Sequence, residues 1–266
     1  MLHNILLKKI TVFLTPAALF VCWELWLRLE RSAVEVGLVS ALLIVGALWY
    51  LTLRPLAVSQ LQRSLHRAEF WRFLITPGLF VVAVYFFLLL LERPASRQFI
   101  IIGSVILLTI ILQNLFDRFY RGARYPANSF ESISGNVNSL SLFLLVAVAY
   151  GLLTFLDLPV WLLVGPLLVV ATLLSYQTMW ISGLELKQSW LYVLILDVIV
   201  VEMFWALLFL PNTFYVKALS LTAVYYVVIN LSRNSLIDIL NRTMIVRYVL
   251  TGGVVLGLIL LTAQWR

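Results

Sequence analysis

The chain contains long apolar stretches that carry no charged residue. No Asp, Glu, Lys or Arg occurs between Glu131 and Asp157, or between Asp157 and Glu185. An uncharged apolar stretch of about 20 residues is long enough to cross the hydrocarbon core of a bilayer as a helix. Only helices and closed barrels can do so, because lipid offers no partner to backbone polar groups. The runs here are continuous and do not alternate with period two, which favours helices.

The composition excludes a water-soluble fold. Of 266 residues, 63% are hydrophobic and 12% are charged, and the mean hydropathy is +1.03. A soluble domain carries roughly 25% charged residues. The single cysteine excludes a disulfide scaffold. We therefore predict an all-α, polytopic integral membrane protein whose residues 1–266 form a single transmembrane helical domain.

Nine apolar segments qualify as membrane spans. They cover residues 9–27, 34–53, 73–91, 98–116, 138–156, 159–182, 189–210, 214–231 and 246–264. The first span contains Pro16 and Glu24, but no small-residue cleavage pattern follows it, so we interpret it as a retained span and not as a signal peptide. The segments near 54–72 and 232–245 are expected to be short amphipathic helices on the cytoplasmic surface.

The basic residues predict the orientation of these spans. With the N-terminus inside, 13 of the 19 Lys and Arg residues fall on the cytoplasmic side and 6 on the other side. Short cytoplasmic loops normally hold this excess, which favours an N-inside, C-outside arrangement. The expected location is the bacterial cytoplasmic (inner) membrane. The same distribution explains the net charge of +7 without a nucleic-acid partner.

Two carboxylates fall well inside the seventh span. Asp197 and Glu202 are candidates for a substrate or ion pathway, because a charge near the bilayer centre costs about 2.5–3.5 kcal/mol and such residues usually face a bundle interior or a water-filled cavity. Five residues separate them by roughly 140° around a helix, so they do not share one face. The alternative interpretation is a neutral, hydrogen-bonded carboxyl that locks helices together.

A second polar group lies at the end of the fourth span. It comprises Gln113, Asn114, Asp117, Arg118, Arg121 and Arg124. The first three are further candidates for the solute pathway, near its cytoplasmic mouth. The three arginines are candidates for contact with an anionic lipid headgroup or a phosphate. An ordinary interfacial anchor with an Asp117–Arg121 pair explains the same residues.

Backbone-breaking residues interrupt several spans. Pro166 lies deep in its span and could break that helix, whereas Pro77 is close enough to the expected start of the third span to be a first-turn proline. In the last span, Gly252, Gly253 and Gly257 offer a small-residue face for helix contact, and Gly253 and Gly257 match the spacing of a helix-packing motif. His3 and His66 are too few and too far apart for a metal site, so neither a metal nor a cofactor is expected.

Three functions from different classes remain open. The leading hypothesis is a permease for a small solute or ion. The second is a membrane enzyme that acts on a lipid or lipid-linked substrate at the cytoplasmic face, and whether any reaction is catalysed stays open. The third is a non-catalytic scaffold subunit. The expected partners are the lipid bilayer, an anionic lipid and other membrane subunits, without nucleic acid.

Overall fold

The computed structural model describes residues 2–28, 67–120, 129–184 and 186–262. Every regular element in these ranges is an α helix, which confirms the predicted fold class. The helices are α1 (Leu2–Arg28), α2 (Arg67–Leu90), α3 (Pro94–Tyr120), α4 (Ser129–Leu156), α5 (Val160–Ile181), α6 (Leu186–Leu208), α7 (Phe214–Leu236) and α8 (Arg242–Thr262).

Seven helices, α2 to α8, are long and apolar enough to cross a membrane, and α1 contains a shorter apolar segment, Val12–Trp26. The chain is therefore a multi-pass helical membrane protein. Eight of the nine predicted spans coincide with these helices. The predicted span 34–53 lies outside the described residues, so the count of nine stays a prediction.

The chain divides into two compact units, residues 1–134 and 135–266, and the boundary falls inside α4. In the first unit α1 and α2 both pack against α3. The core there is aromatic: the Trp26 and Tyr85 ring centroids are 5.1 Å apart. A buried hydrogen bond of 3.0 Å joins the Thr76 and Ser134 hydroxyls and ties α2 to the start of α4.

In the second unit α5, α6, α7 and α8 pack in sequence, each against the next. Two long-range hydrogen bonds connect α4 to this series. Asn138 Nδ2 donates to Thr178 Oγ1 of α5 at 3.0 Å, and the Tyr150 hydroxyl donates to the backbone oxygen of Phe204 in α6 at 2.9 Å. The second unit thus gathers polar side chains from several helices around one interior.

Two of the connections in this unit are tight because the helices end in the same backbone motif. After α5, Gly183 has a φ of 81°, and the Gly183 and Leu184 amides bond the carbonyls of Trp180 and Met179. After α7, Asp238 has a φ of 57° and the same bond pattern is repeated. These bonds satisfy carbonyls that a helix end otherwise leaves without partners.

Two features of the helices differ from expectation. Helix α2 begins at Arg67, so Pro77 lies in its interior and not in its first turn. Residues 232–245 form the end of α7, a connection over 237–241 and the first turn of α8, with no separate surface helix between them. Of the other expected surface helix, 54–72, residues 54–66 lie outside the described ranges, and residues 67–72 belong to α2.

The glycines of α8 also behave differently from the predicted motif. Gly252 is buried, and a side chain there would collide with Val227 of α7. Nothing in the described structure lies within 4 Å of a Cβ placed at Gly253 or Gly257. The α7–α8 contact within the chain therefore depends on Gly252, because its lack of a side chain lets α7 approach.

Candidate functional site: a buried polar cluster in the second unit

Asp197 lies near the middle of the span formed by Ser189–Leu208. Its side chain is only 4% exposed. Thr172 Oγ1 of α5 donates a hydrogen bond of 2.7 Å to Asp197 Oδ2. The other oxygen, Oδ1, is buried and accepts no hydrogen bond from any described residue. One oxygen of the sequence-predicted carboxylate is therefore hydrogen-bonded to Thr172, and the other has no described partner.

Other polar side chains continue from this point. Tyr225 of α7 is fully buried and lies close enough to Asp197 and Thr178 to interact electrostatically with both. The Ser175 hydroxyl donates to the Tyr225 oxygen at 3.5 Å. Thr178 in turn accepts the bond from Asn138. We call the set Asn138, Thr172, Ser175, Thr178, Asp197 and Tyr225 the Asp197 cluster.

The geometry of α5 explains how these side chains come together. Thr172, Ser175 and Thr178 recur every three residues, which places them along one face of the helix. Six residues of helix span about 9 Å along the axis. The Asp197 cluster is thus a short polar row that runs from the middle of a span toward the end of α5.

Several buried polar atoms in this unit have no partner among the described residues. Besides Asp197 Oδ1, these are Asn138 Oδ1, Ser220 Oγ and both amide atoms of Gln177 and of Asn212. Buried polar groups are nearly always hydrogen-bonded, so each exception calls for an explanation such as a functional role. A carboxylate with hydroxyl and amide oxygens offers the ligands that a small cation or an ammonium group requires.

Helix α6 ends in an aromatic cap beyond the Asp197 cluster. The rings of Tyr150 and Phe204 are stacked with centroids 4.6 Å apart. Lys217 Nζ lies 5.9 Å from the centroid of the Tyr150 ring and donates to the carbonyl of Leu208, the last residue of α6. Lys217 thereby satisfies a carbonyl at a helix end, where a cation is favourable.

Glu202 does not join the Asp197 cluster. Its side chain is exposed, whereas that of Asp197 is buried. The two residues are separated by roughly 140° around the helix, so burial of one does not bury the other. The structure therefore does not bring the two predicted carboxylates together.

The second predicted group lies in the first unit. Gln113 is exposed, Asn114 and Asp117 are half-buried, and Asn114 Nδ2 donates to the carbonyl of Ile110 one turn earlier. Arg118 forms an ion pair of 3.0 Å with Glu131 and lies over the ring of Phe73.

Two members of that group, Arg121 and Arg124, lie outside the described residues. The expected Asp117–Arg121 pair therefore stays a prediction. Among the residues that the structure covers, no group of three or more His, Cys, Asp and Glu side chains is placed to hold a metal ion.

Sequence reasoning missed the neutral members of the Asp197 cluster. Thr172, Ser175 and Thr178 repeat at helical spacing in an otherwise apolar span, and that spacing was the available signal. Asn138 and Tyr225 gave none, because a single sequence does not reveal which helices are neighbours.

The comparison with known families covers both units. A family model described as "Protein of unknown function (DUF5656)" matches residues 17–262. The chain belongs to the DUF5656 family. The match spans all the residues of the Asp197 cluster in this DUF5656 protein. No curated protein and no solved structure matches the chain.

Proposed function

We propose that this DUF5656 protein is a permease for a small cation or a cationic solute, and that Asp197 is its binding carboxylate. The observation that carries the proposal is the second oxygen of Asp197, which is buried at mid-span and accepts no hydrogen bond from the described residues. A carboxylate in lipid needs compensation, and carboxylates inside spans commonly mark ion pathways.

The rest of the proposed pathway follows the polar row. Hydroxyls of Ser175, Thr178 and Tyr225 lead from Asp197 toward the end of α5, where a cation would enter or leave. The stacked pair Tyr150 and Phe204 forms an apolar barrier toward the other end of α6. In the proposed arrangement of nine spans with the N-terminus inside, the end of α5 faces the cytoplasm.

The inner-face enzyme is not favoured by a specific contact. The described arginine of that group, Arg118, is already paired with Glu131. A scaffold, in which Asp197 only locks α5 to α6, makes a different prediction from a permease, and the following experiment distinguishes the two.

The test compares two acid-to-amide changes on the same helix. Purified protein in sealed proteoliposomes is assayed for proton flux, for ²²Na⁺ uptake and for methylammonium uptake. Asp197→Asn should lower flux of the transported probe by about tenfold or more, since a hydrogen bond to a charged group contributes about 1.5–3 kcal/mol. Glu202→Gln, at the exposed position, should leave flux unchanged. Thermal unfolding establishes that both variants are folded.

Water access to Asp197 provides a second readout. In a Cys22→Ser background, Asp197→Cys should react with a membrane-impermeant thiol reagent in sealed vesicles. A control cysteine at Val193, which is also buried but lies outside the Asp197 cluster, should stay unlabelled. Absence of labelling at residue 197 together with unchanged flux in Asp197→Asn would leave Asp197 as a structural lock and overturn the proposal.

A further inference from the structure

A cavity of about 630 Å³ lies between α7 and α8 in the second unit. One wall includes Leu219, Thr222 and Tyr226 of α7, and the other includes Arg247, Thr251 and Val255 of α8. This volume is in the range of sites that hold small molecules. Neither the permease pathway nor the aromatic cap uses these side chains.

The cavity is elongated along the two helices. On α7 its lining runs from Leu219 to Asn234, which corresponds to about 22 Å of helix, and on α8 it runs from Met244 to Val255, or about 16 Å. The helices are joined by the short connection 237–241, so Asn234 and Met244 mark the end near the connection. The shape suits a ligand with one long chain.

The end near the connection is polar and basic. Asn234 is 5% exposed and lines the cavity. Arg247 also lines this end, and the described structure gives its guanidinium no ion pair. Arg233 and Arg242 flank the connection, against one acid there, Asp238. These groups favour an anion.

Two other polar side chains of the lining already have hydrogen-bond partners. The Ser139 hydroxyl donates to the carbonyl of Gly135, and the Thr222 hydroxyl donates to that of Ala218, each within its own helix. Leu219 and Val255 make the far end apolar, and Val227 is an apolar residue midway along the α7 wall. One end of the cavity thus offers an amide and a guanidinium, and the other offers aliphatic surface.

The surroundings favour a lipid over a soluble solute. Of the α8 side chains whose exposure is described, Gly252 alone is buried. Helix α8 is therefore a thin wall with apolar side chains such as Val254 and Leu258 on its outer surface. A cavity behind such a wall lies next to the acyl chains of the bilayer.

We propose that this cavity binds one phospholipid with an anionic headgroup. The Arg247 guanidinium and the Asn234 amide donate hydrogen bonds to the phosphate, and an acyl chain lies along Leu219, Val227 and Val255. Guanidinium–phosphate bonds are charge-assisted and therefore strong. This site is independent of the Asp197 cluster.

The test measures lipid binding to the detergent-purified full chain by native mass spectrometry. The probes are phosphatidylglycerol, phosphatidylcholine and glycerol 3-phosphate. The proposal expects one phosphatidylglycerol bound with preference over phosphatidylcholine, and no displacement by glycerol 3-phosphate. Arg247→Gln should weaken phosphatidylglycerol binding at least about fivefold, which is the effect of one basic group at an anionic lipid surface.

Arg242→Gln is the matched control, because it removes the same charge from the same helix but not from the cavity lining. It should retain wild-type binding. Thr251→Phe fills the cavity from the α8 wall while keeping Arg247, and it should also abolish binding if the lipid lies inside. Equal losses in Arg247→Gln and Arg242→Gln, or unchanged binding in Thr251→Phe, would overturn the proposal. Displacement of phosphatidylglycerol by glycerol 3-phosphate would instead assign the site to a soluble phosphate compound and overturn the proposal that the ligand is a lipid.

Discussion

The Thr172 hydroxyl oxygen lies 2.7 Å from Oδ2 of Asp197 and 2.8 Å from the carbonyl oxygen of Leu168. A hydroxyl has one proton to donate and lone pairs that accept. When Thr172 donates to Leu168, a protonated Asp197 can donate to Thr172, and when Asp197 is ionised, Thr172 can donate to it. The pair therefore accommodates both protonation states without a change in the backbone.

The first prediction concerns this hydroxyl. Thr172→Val removes a partner of a buried carboxyl, so the free energy of unfolding should fall by about 1–3 kcal/mol and cation flux should fall with it. Thr172→Ser keeps the hydroxyl and should preserve flux. Thermal unfolding in detergent and proteoliposome flux are the measurements.

Thr154→Val is the control for that experiment. The Thr154 hydroxyl donates only to the carbonyl of Tyr150 in its own helix, and its side chain is exposed. Its loss should change the free energy of unfolding by no more than about 0.5 kcal/mol. A comparable loss in Thr154→Val and Thr172→Val would show that contact with Asp197 adds nothing.

The second prediction concerns helix packing at α8. Gly252→Ala places a methyl group against the Val227 side chain and should lower stability by about 1–3 kcal/mol, because Val227 or helix α7 must shift to admit it. Gly253→Ala, one residue away in open space, should be neutral or slightly stabilising, since alanine is the better helix former. Comparison of the two unfolding midpoints is sufficient. Equal midpoints would contradict the assignment of Gly252 as the contact.

The third prediction concerns Gly183 and Asp238, two of the residues that have a left-handed backbone at helix ends. Gly183→Ala should destabilise the protein by about 1–2 kcal/mol, because a side chain is unfavourable at a φ of 81°. Asp238→Gly should stabilise it, since Asp238 occupies the same conformation with a side chain present. Unfolding midpoints of the two variants should shift in opposite directions. A shift in the same direction would mean that other contacts of these residues dominate.

The fourth prediction concerns orientation. Asn212 and Asp238 lie at the two ends of α7, which is long enough to span the bilayer. In a Cys22→Ser background, cysteines at these positions should react with an impermeant reagent from opposite sides. The proposed orientation places residue 238 in the cytoplasm. Labelling of both from one side would exclude α7 as a span.

The helices could be predicted from the sequence, because an uncharged apolar run of this length is stable in lipid only as a helix. Asp197 could also be singled out from the sequence, because a carboxylate in the middle of a span is energetically unfavourable. The sequence could not separate Asp197 from Glu202, since both lie well inside the span and only packing decides that one is buried. The partners of Asp197 could not be predicted either, because they depend on which faces of α5, α6 and α7 meet.

The arginines at the end of α3 also show that a sequence does not reveal the partners of a side chain. Arg118 stands in a basic cluster of the sequence, and nothing in that cluster reveals its partner. Glu131 is 13 residues away and on the next helix. Arg247 lines a cavity, and no sequence motif marked it. The sequence shows that a charged side chain is present, but only the packed structure shows whether it is already paired with another residue.

The short turn between α5 and α6 has a consequence for biosynthesis. Thr172, Thr178 and Ser182 each bond a carbonyl of α5 itself, so these hydroxyls are satisfied as soon as that helix forms. Asp197 has no such local partner, and α6 entering the bilayer alone would carry an uncompensated acid. The turn at Gly183 brings α6 back against α5, where Thr172 forms a hydrogen bond to Asp197. Helices α5 and α6 can therefore leave the translocon together as a hairpin in which the carboxyl group already has a partner.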